Sequence, residues 1–185
     1  ACSALLLRRA CLVVLGRPAT PPRLAAAPAY KRRESVLVVL HEGQGRALML
    51  ERVSPPGFWQ SVTGSLEEGE TPFATALREV AEETGILLSP EERKDWHTQN
   101  EYEIYEHWRH RYAPGVTRNT EPVFSARISA ARPVHLSARE HRAHRWLPLV
   151  DAASLAFSPS NCEALLRLAA ETEGRLPEKL TAPPL

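Results

Sequence analysis

Glu79, Glu82 and Glu83 stand at positions i, i+3 and i+4, and on an α-helix that spacing brings all three carboxylates to one face. Like charges so placed repel, and a divalent cation is the most direct way to neutralise them. Carboxylate oxygens favour hard Mg²⁺, with Mn²⁺ as a substitute, over zinc. A metal held there bridges the phosphates of a polyphosphate, offsets their charge and lowers the pKa of a bound water into nucleophilic range, so the implied reaction is hydrolysis of a diphosphate linkage. The ordinary alternative is a solvated acidic face.

What argues against that alternative is the company these glutamates keep. Gly64, Glu70, Arg78, Glu79, Glu82, Glu83 and Gly85 fall in the order G-x5-E-x7-R-E-U-x-E-E-x-G-U, with Val80 and Ile86 at the bulky aliphatic positions U. From residue frequencies alone, such a match arises by chance on the order of once in ten million chains of this size. Gly64, Glu70 and Arg78 read as supporting residues, with Arg78 ion-paired to a carboxylate and orienting the metal ligands.

The elements that must position these groups follow from local signals. Thr71 caps a helix, Pro72 suits its first position, Phe73, Leu77, Val80 and Ala81 form an apolar stripe, and Gly85 stops it. Before it, residues 35–40 read as a buried strand, 41–45 as its turn, 47–50 as the returning strand, and 58–62 as a short strand leading into Gly64. After it, residues 102–105, 108–112 and 123–128 read as strands, 145–147 as another, and Ser160 caps a final helix to about Ala170. The segment 89–99 carries no clear signal. Strands with two helices predict an α/β (α+β) domain, a mixed sheet sandwiched between helices.

The box from Gly64 to Ile86 resembles that of the Nudix hydrolases, and the resemblance implies the Nudix fold and a metal-dependent diphosphatase. In that family the glutamates of the R-E-x-x-E-E segment ligate metal, which by resemblance marks Glu79 and Glu83 as ligands, then Glu82. Flanking residues resemble the bacterial branch acting on dihydroneopterin triphosphate: Tyr30-Lys31-Arg32, residues 58–65 and 109–121, and Glu140-His141 before Arg145-Trp146-Leu147. That likeness spans roughly residues 30–168. It implies conversion of 7,8-dihydroneopterin triphosphate to the monophosphate and pyrophosphate in folate biosynthesis. It also suggests Lys31, Arg52, Thr63, the strand Tyr102, Glu103, Ile104 and Tyr105, and Ser158 for substrate binding, with Glu140 as a further metal ligand.

Lys31 and Arg52 fit a triphosphate on charge grounds, and only one of Tyr102 and Tyr105 can stack on a pterin from a strand's inner face. The Arg109-His110-Arg111 run is either the solvated face of a strand or part of the pocket. For the general base, Glu79, Glu82 and Glu140 compete, with preference for Glu140, and His141 and His144 are alternatives. Catalysis is thus expected to involve Glu79, Glu82, Glu83 and Glu140. A Nudix (deoxy)nucleoside triphosphate pyrophosphohydrolase, a nucleotide-sugar or RNA 5′-end diphosphatase, and a non-catalytic nucleotide-binding module are the competing readings.

Length and composition agree with one catalytic domain: 185 residues, 43% hydrophobic, 24% charged. A formal net charge of +1 gives no global attraction to nucleic acid, so the expected partner is a small pterin or nucleoside triphosphate, with no stable nucleic-acid partner and no membrane. Cys2, Cys11 and Cys162 are dispersed and suit a reducing cytoplasm. Residues 1–29, rich in Ala, Leu, Pro and Arg without Asp or Glu, are expected to form a disordered extension, 30–173 the domain, and 174–185 a frayed tail. Either a monomer or a homodimer is compatible with these features.

Overall fold

In the computed structural model, residues 30–174 are described; the expectations for residues 1–29, and for the tail after Gly174, lie outside them. The domain is built on a seven-stranded mixed sheet ordered β3-β2-β1-β6-β5, with β4 also pairing to β1 and β7 to β2. The strands are β1 (Ser35–His41), β2 (Arg46–Arg52), β3 (Trp59–Gln60), β4 (Val62–Ser65), β5 (Arg93–Glu103), β6 (Arg118–Arg127) and β7 (His141–Pro148). Three α-helices complete it: α1 (Pro72–Thr84), α2 (Leu149–Leu155) and α3 (Pro159–Thr172).

The unbroken apolar run of β1 reflects burial on both faces. Val36, Val38 and Leu40 pack with Ala76 and Val80 of α1, whereas Leu37 and Val39 pack with Ala164, Leu165 and Leu168 of α3. Alternation along one strand therefore serves two cores, one under each helical layer. β1 and β6 run parallel, Leu37 opposite Val123, and the remaining pairs are antiparallel. Among the described residues no helix is long and apolar enough to cross a membrane.

Several sequence expectations change here. Residues 108–112 are not a strand: Glu106–Arg111 form a 3-10 helix. The expected strand at 102–105 is the end of β5, which stops at Glu103, so Tyr105 lies beyond it as the cap of that helix. Most of β5 comes from the segment without a signal, because its exposed polar residues give no period-two pattern and a bulge between Asp95 and Gln99, with His97 at φ 51°, interrupts the register. The final helix is capped by Ser158 rather than Ser160, and α2 is an additional helix too short to leave a clear apolar period.

α3 is pinned to the sheet by one buried amide. The backbone N–H of Ser61 donates to Asn161 Oδ1 at 2.8 Å, and Asn161 Nδ2 donates to Ser61 Oγ at 2.9 Å; both residues are fully buried. Removing that side chain leaves a buried N–H unpaired. Asn161→Ala should cost about 2 kcal/mol and lower the melting temperature by roughly 4–8 °C in a thermal scan.

Candidate active site

α1 starts where Thr71 Oγ1 accepts from the Ala74 N–H at 3.2 Å, and it ends at Gly85, whose φ of 69° is left-handed and whose N–H returns to Ala81 O. Between these caps the inward face is not the expected apolar stripe. Phe73 is exposed and Leu77 half-buried, while Thr75, Ala76, Glu79, Val80, Glu83 and Thr84 face the sheet. Glu79 and Glu83 are thus buried, at 8% and 1% exposure, and Glu82 points to solvent. The three glutamates do not share one environment: exposed Glu82 and buried Glu83 are adjacent in the chain.

Gly64 on β4 is what lets this face approach. A Cβ built there would lie 1.7 Å from Glu79 Cδ and 1.8 Å from its Oε1, so no larger residue fits while Glu79 keeps its place. Arg78 then clamps the surroundings. Its Nε and Nη2 donate to the two oxygens of Glu70 at 2.8 Å each, Nη1 donates to Glu79 at 2.8 Å and Glu82 at 3.0 Å, and Nη2 reaches Ser65 O at 3.1 Å. Arg78 holds Glu70 down to a pKa of about 2, aided by donors from the Glu67 N–H and Thr75 Oγ1. The same arginine does not win at Glu79. Burial there outweighs it and pushes the carboxyl up to about 7.

Glu140 and His141 arrive from the other end of the chain. The loop before β7 is stitched to the end of α1, with the His135 N–H donating to Thr84 O at 2.8 Å and the Ser137 N–H to Glu83 O at 3.2 Å. The chain turns from Ser137 through Glu140, and His141 opens β7 opposite Arg52, where β2 is bulged. Ligand atoms of Glu83, Glu140 and His141 then lie within 4.8 Å of one another. His141 Nε2 approaches Glu83 Oε2 to 3.1 Å without hydrogen-bond alignment, and that oxygen and both imidazole nitrogens are buried with no hydrogen-bond partner. Burial raises the Glu83 pKa, opposed chiefly by His141. A buried, unsatisfied carboxylate oxygen is costly. A hard dication would supply the partner that the carboxylate oxygen lacks, and of these donors Glu83 and Glu140 are of the type it takes.

Of the remaining expected site residues, Lys31 lies beside this group. Its pKa is lowered by burial first and by Arg111 second, and it senses Glu79, Arg52 and Glu140. Thr63 lends its backbone to Glu83, and Arg52 sits across from His141. Glu103 is ion-paired with Arg109 at 2.7 Å, and Ile104 is buried, its carbonyl taking Arg109 Nε at 3.0 Å; both are spent on holding the 3-10 helix. Ser158 Oγ accepts from the Asn161 N–H as the α3 cap. His144 lies exposed farther along β7, opposite Leu50.

Two groupings escaped the sequence reading. Phe58, Tyr105, His107, Trp108 and Phe157 form a partly exposed aromatic wall with ring centroids 4.1–6.4 Å apart. It adjoins Arg52, whose N–H donates to Phe58 O at 2.9 Å. The second is a partly buried polar network centred on the buried Glu121 and Asn119, in which Tyr102 OH, Asn100 Nδ2 and Ser160 Oγ donate to Glu121 and Asn119 donates to Tyr102 and Ser35. Their residues come from distant segments; Tyr102 and Tyr105 were expected at the substrate, but their partners Phe157, Ser160 and Asn100 were not.

The NUDIX domain model matches residues 31–168. The dihydroneopterin triphosphate diphosphatase of Escherichia coli (strain K12) is 48% identical over 139 residues, covering 74% of this chain and 91% of that protein. The Haemophilus influenzae protein of the same name is 38% identical over 139 residues, covering 74% and 87%. The solved structure of the E. coli dihydroneopterin triphosphate pyrophosphohydrolase superposes with a TM-score of 0.70 at 46% identity, covering 77% of this chain and 98% of that one.

Two outcomes follow from the buried carboxylates. Gly64→Ala should displace Glu79 and weaken divalent-metal binding by about 10–100-fold in a calorimetric titration, with the fold retained by circular dichroism. Because the Glu79 carboxyl is raised from 4.5 to about 7, the folded metal-free protein binds this proton more tightly than the unfolded chain, and the associated stability is lost as pH rises across that window. Glu70, held near 2, loses its contribution only below its ordinary value of 4.5, so the two effects do not overlap. The fall in melting temperature of metal-free protein between about pH 4.5 and about pH 7 should shrink in Glu79→Gln.

Proposed function

The chain belongs to the Nudix hydrolase family, and from that premise we propose that it cleaves 7,8-dihydroneopterin triphosphate to dihydroneopterin monophosphate and pyrophosphate, as a cytoplasmic Mg²⁺-dependent step of folate biosynthesis. The observation that carries this reading is the reach of the likeness: identity to the diphosphatases runs over 139 residues rather than the Gly64–Ile86 box alone, so it includes the strands and loops that line the site. The box accounts for metal and phosphates, and the surroundings decide which triphosphate is taken.

In this mechanism Glu79, Glu83 and Glu140 would hold the Mg²⁺, with Mn²⁺ as a substitute. When bound, the metal neutralises phosphate charge and lowers the pKa of the attacking water. Arg78 keeps the Glu79 carboxylate oriented, and the Thr63 backbone holds Glu83. Lys31 and Arg52 receive phosphate oxygens. Lys31 is partly desolvated among positive neighbours, so a polyanion restores the environment its ammonium prefers. Glu140 is exposed while its backbone is fixed by the Val53 N–H at 2.8 Å, which suits a general base that must exchange its proton with solvent. The aromatic wall of Phe58, Tyr105, Trp108 and Phe157 offers flat faces for the pterin ring.

Pyrophosphate release from dihydroneopterin triphosphate, assayed beside a panel of dNTPs, tests the substrate. The pterin should be preferred, and a preference of about ten-fold or more for any dNTP would overturn the assignment. Glu83→Gln in saturating Mg²⁺ should lower kcat by at least about 100-fold; unchanged turnover would remove Glu83 from the mechanism.

A further inference from the structure

The Arg109-His110-Arg111 run, ambiguous in sequence, is divided by the fold into two kinds of arginine. Arg109 is consumed structurally, paired with Glu103 and bonded to Ile104 O. Arg111 has no ion pair or side-chain hydrogen bond that the structure records among the described residues, and it is exposed. Its backbone is fixed nonetheless. The Lys31 N–H donates to Arg111 O at 2.9 Å, and Lys31 bridges to Tyr112 in parallel register. Among charged neighbours, the Arg111 guanidinium weighs most heavily on the Lys31 ammonium, ahead of Glu79, Arg52 and Glu140.

Lys31, Arg52 and Arg111 thus gather beside the Glu79–Glu140 carboxylates. Lys31 and Arg111 have no salt bridge among the described residues, and Arg52 has only a 3.3 Å bond to Ser54 O. Unpaired like charges are brought together at a cost, and a bound polyanion recovers it. We propose that Arg111 is a third cation of the phosphate site, donating to phosphate oxygens of the bound triphosphate and of the pyrophosphate released from it. The 3-10 helix Glu106–Arg111 is the positioning device: Arg109 anchors it to β5, and its last residue is delivered against Lys31.

This inference rests on the reading that the site takes a triphosphate, but not on the pterin. Arg111→Ala and Arg111→Lys are therefore compared on dihydroneopterin triphosphate and on dGTP, together with inhibition by inorganic pyrophosphate. Arg127→Ala, at the opposite end of the sheet, controls for loss of one positive charge. The alanine variant should raise KM about ten-fold on both substrates, leave kcat within about three-fold, and weaken pyrophosphate inhibition by a similar factor, with lysine restoring part of each. Unchanged KM and pyrophosphate inhibition, a loss confined to kcat, or an equal effect from Arg127→Ala would each overturn the proposal. Should Arg111→Ala not fold, Arg111→Gln is read by the same criteria. If wild-type protein preferred dGTP, the pterin assignment would fall while an equal Arg111 effect on both triphosphates would stand.

Discussion

Everything at the site depends on two carboxylates, Glu79 and Glu83, buried one helical turn apart on the inward face of α1. Two full negative charges about 6 Å apart at an effective dielectric near 20 repel by about 3 kcal/mol, before either is charged for leaving water. A soluble helix ordinarily turns such residues outward. Here the apolar contacts of Ala76 and Val80 with β1 set the rotation of α1, and that rotation brings the glutamates inward with them. The core therefore holds the acidic face in place at an electrostatic cost, which a bound cation would offset.

Its supports are of two physical kinds. Gly64 acts by absence, since the space of its missing Cβ is occupied by the Glu79 side chain. Arg78 acts by bonding, joining the Glu67–Glu70 loop, β4 and two glutamates of α1 through one planar group with five donors. Lysine, with a single compact charge, cannot span those partners. The loop from His135 to His141 closes the remaining side, and its backbone bonds to Thr84 and Glu83 tie Glu140 to the C-terminal end of the same helix. Protonation of the carboxyls relieves the same strain that a bound cation would relieve.

Arginines outside the box show how context assigns roles to identical residues. Arg109 and Arg111 differ by two positions, yet one fastens a 3-10 helix and the other, beside Lys31, has no ion partner among the described residues. Glu121 shows the same for acids. It is buried on the α3 face, its pKa raised by that burial and opposed by surrounding hydroxyl and amide donors, and it organises β5, β6 and the start of α3 without joining the carboxylates under α1.

Local chemistry made much of this legible in the sequence. Thr71, Pro72 and Gly85 bound α1 because caps and φ preferences act within a few residues, and the Gly64–Ile86 spacing pointed to the family because that pattern lies within one short stretch of chain. β1 and β2 were readable from their apolar runs. The polar, bulged β5 and the 3-10 helix were not, because their conformations are imposed by pairing with β6 and by Arg109 rather than by their own pattern. Periodicity places Glu79, Glu82 and Glu83 together; only packing of α1 on the sheet decides that the first and last are buried and the middle one is not. Likewise the sequence named His141 as a candidate, and only the pairing of β7 with β2 brought it to Glu83. Helix geometry is written into neighbouring residues, whereas burial and the meeting of distant side chains depend on every element that packs around them.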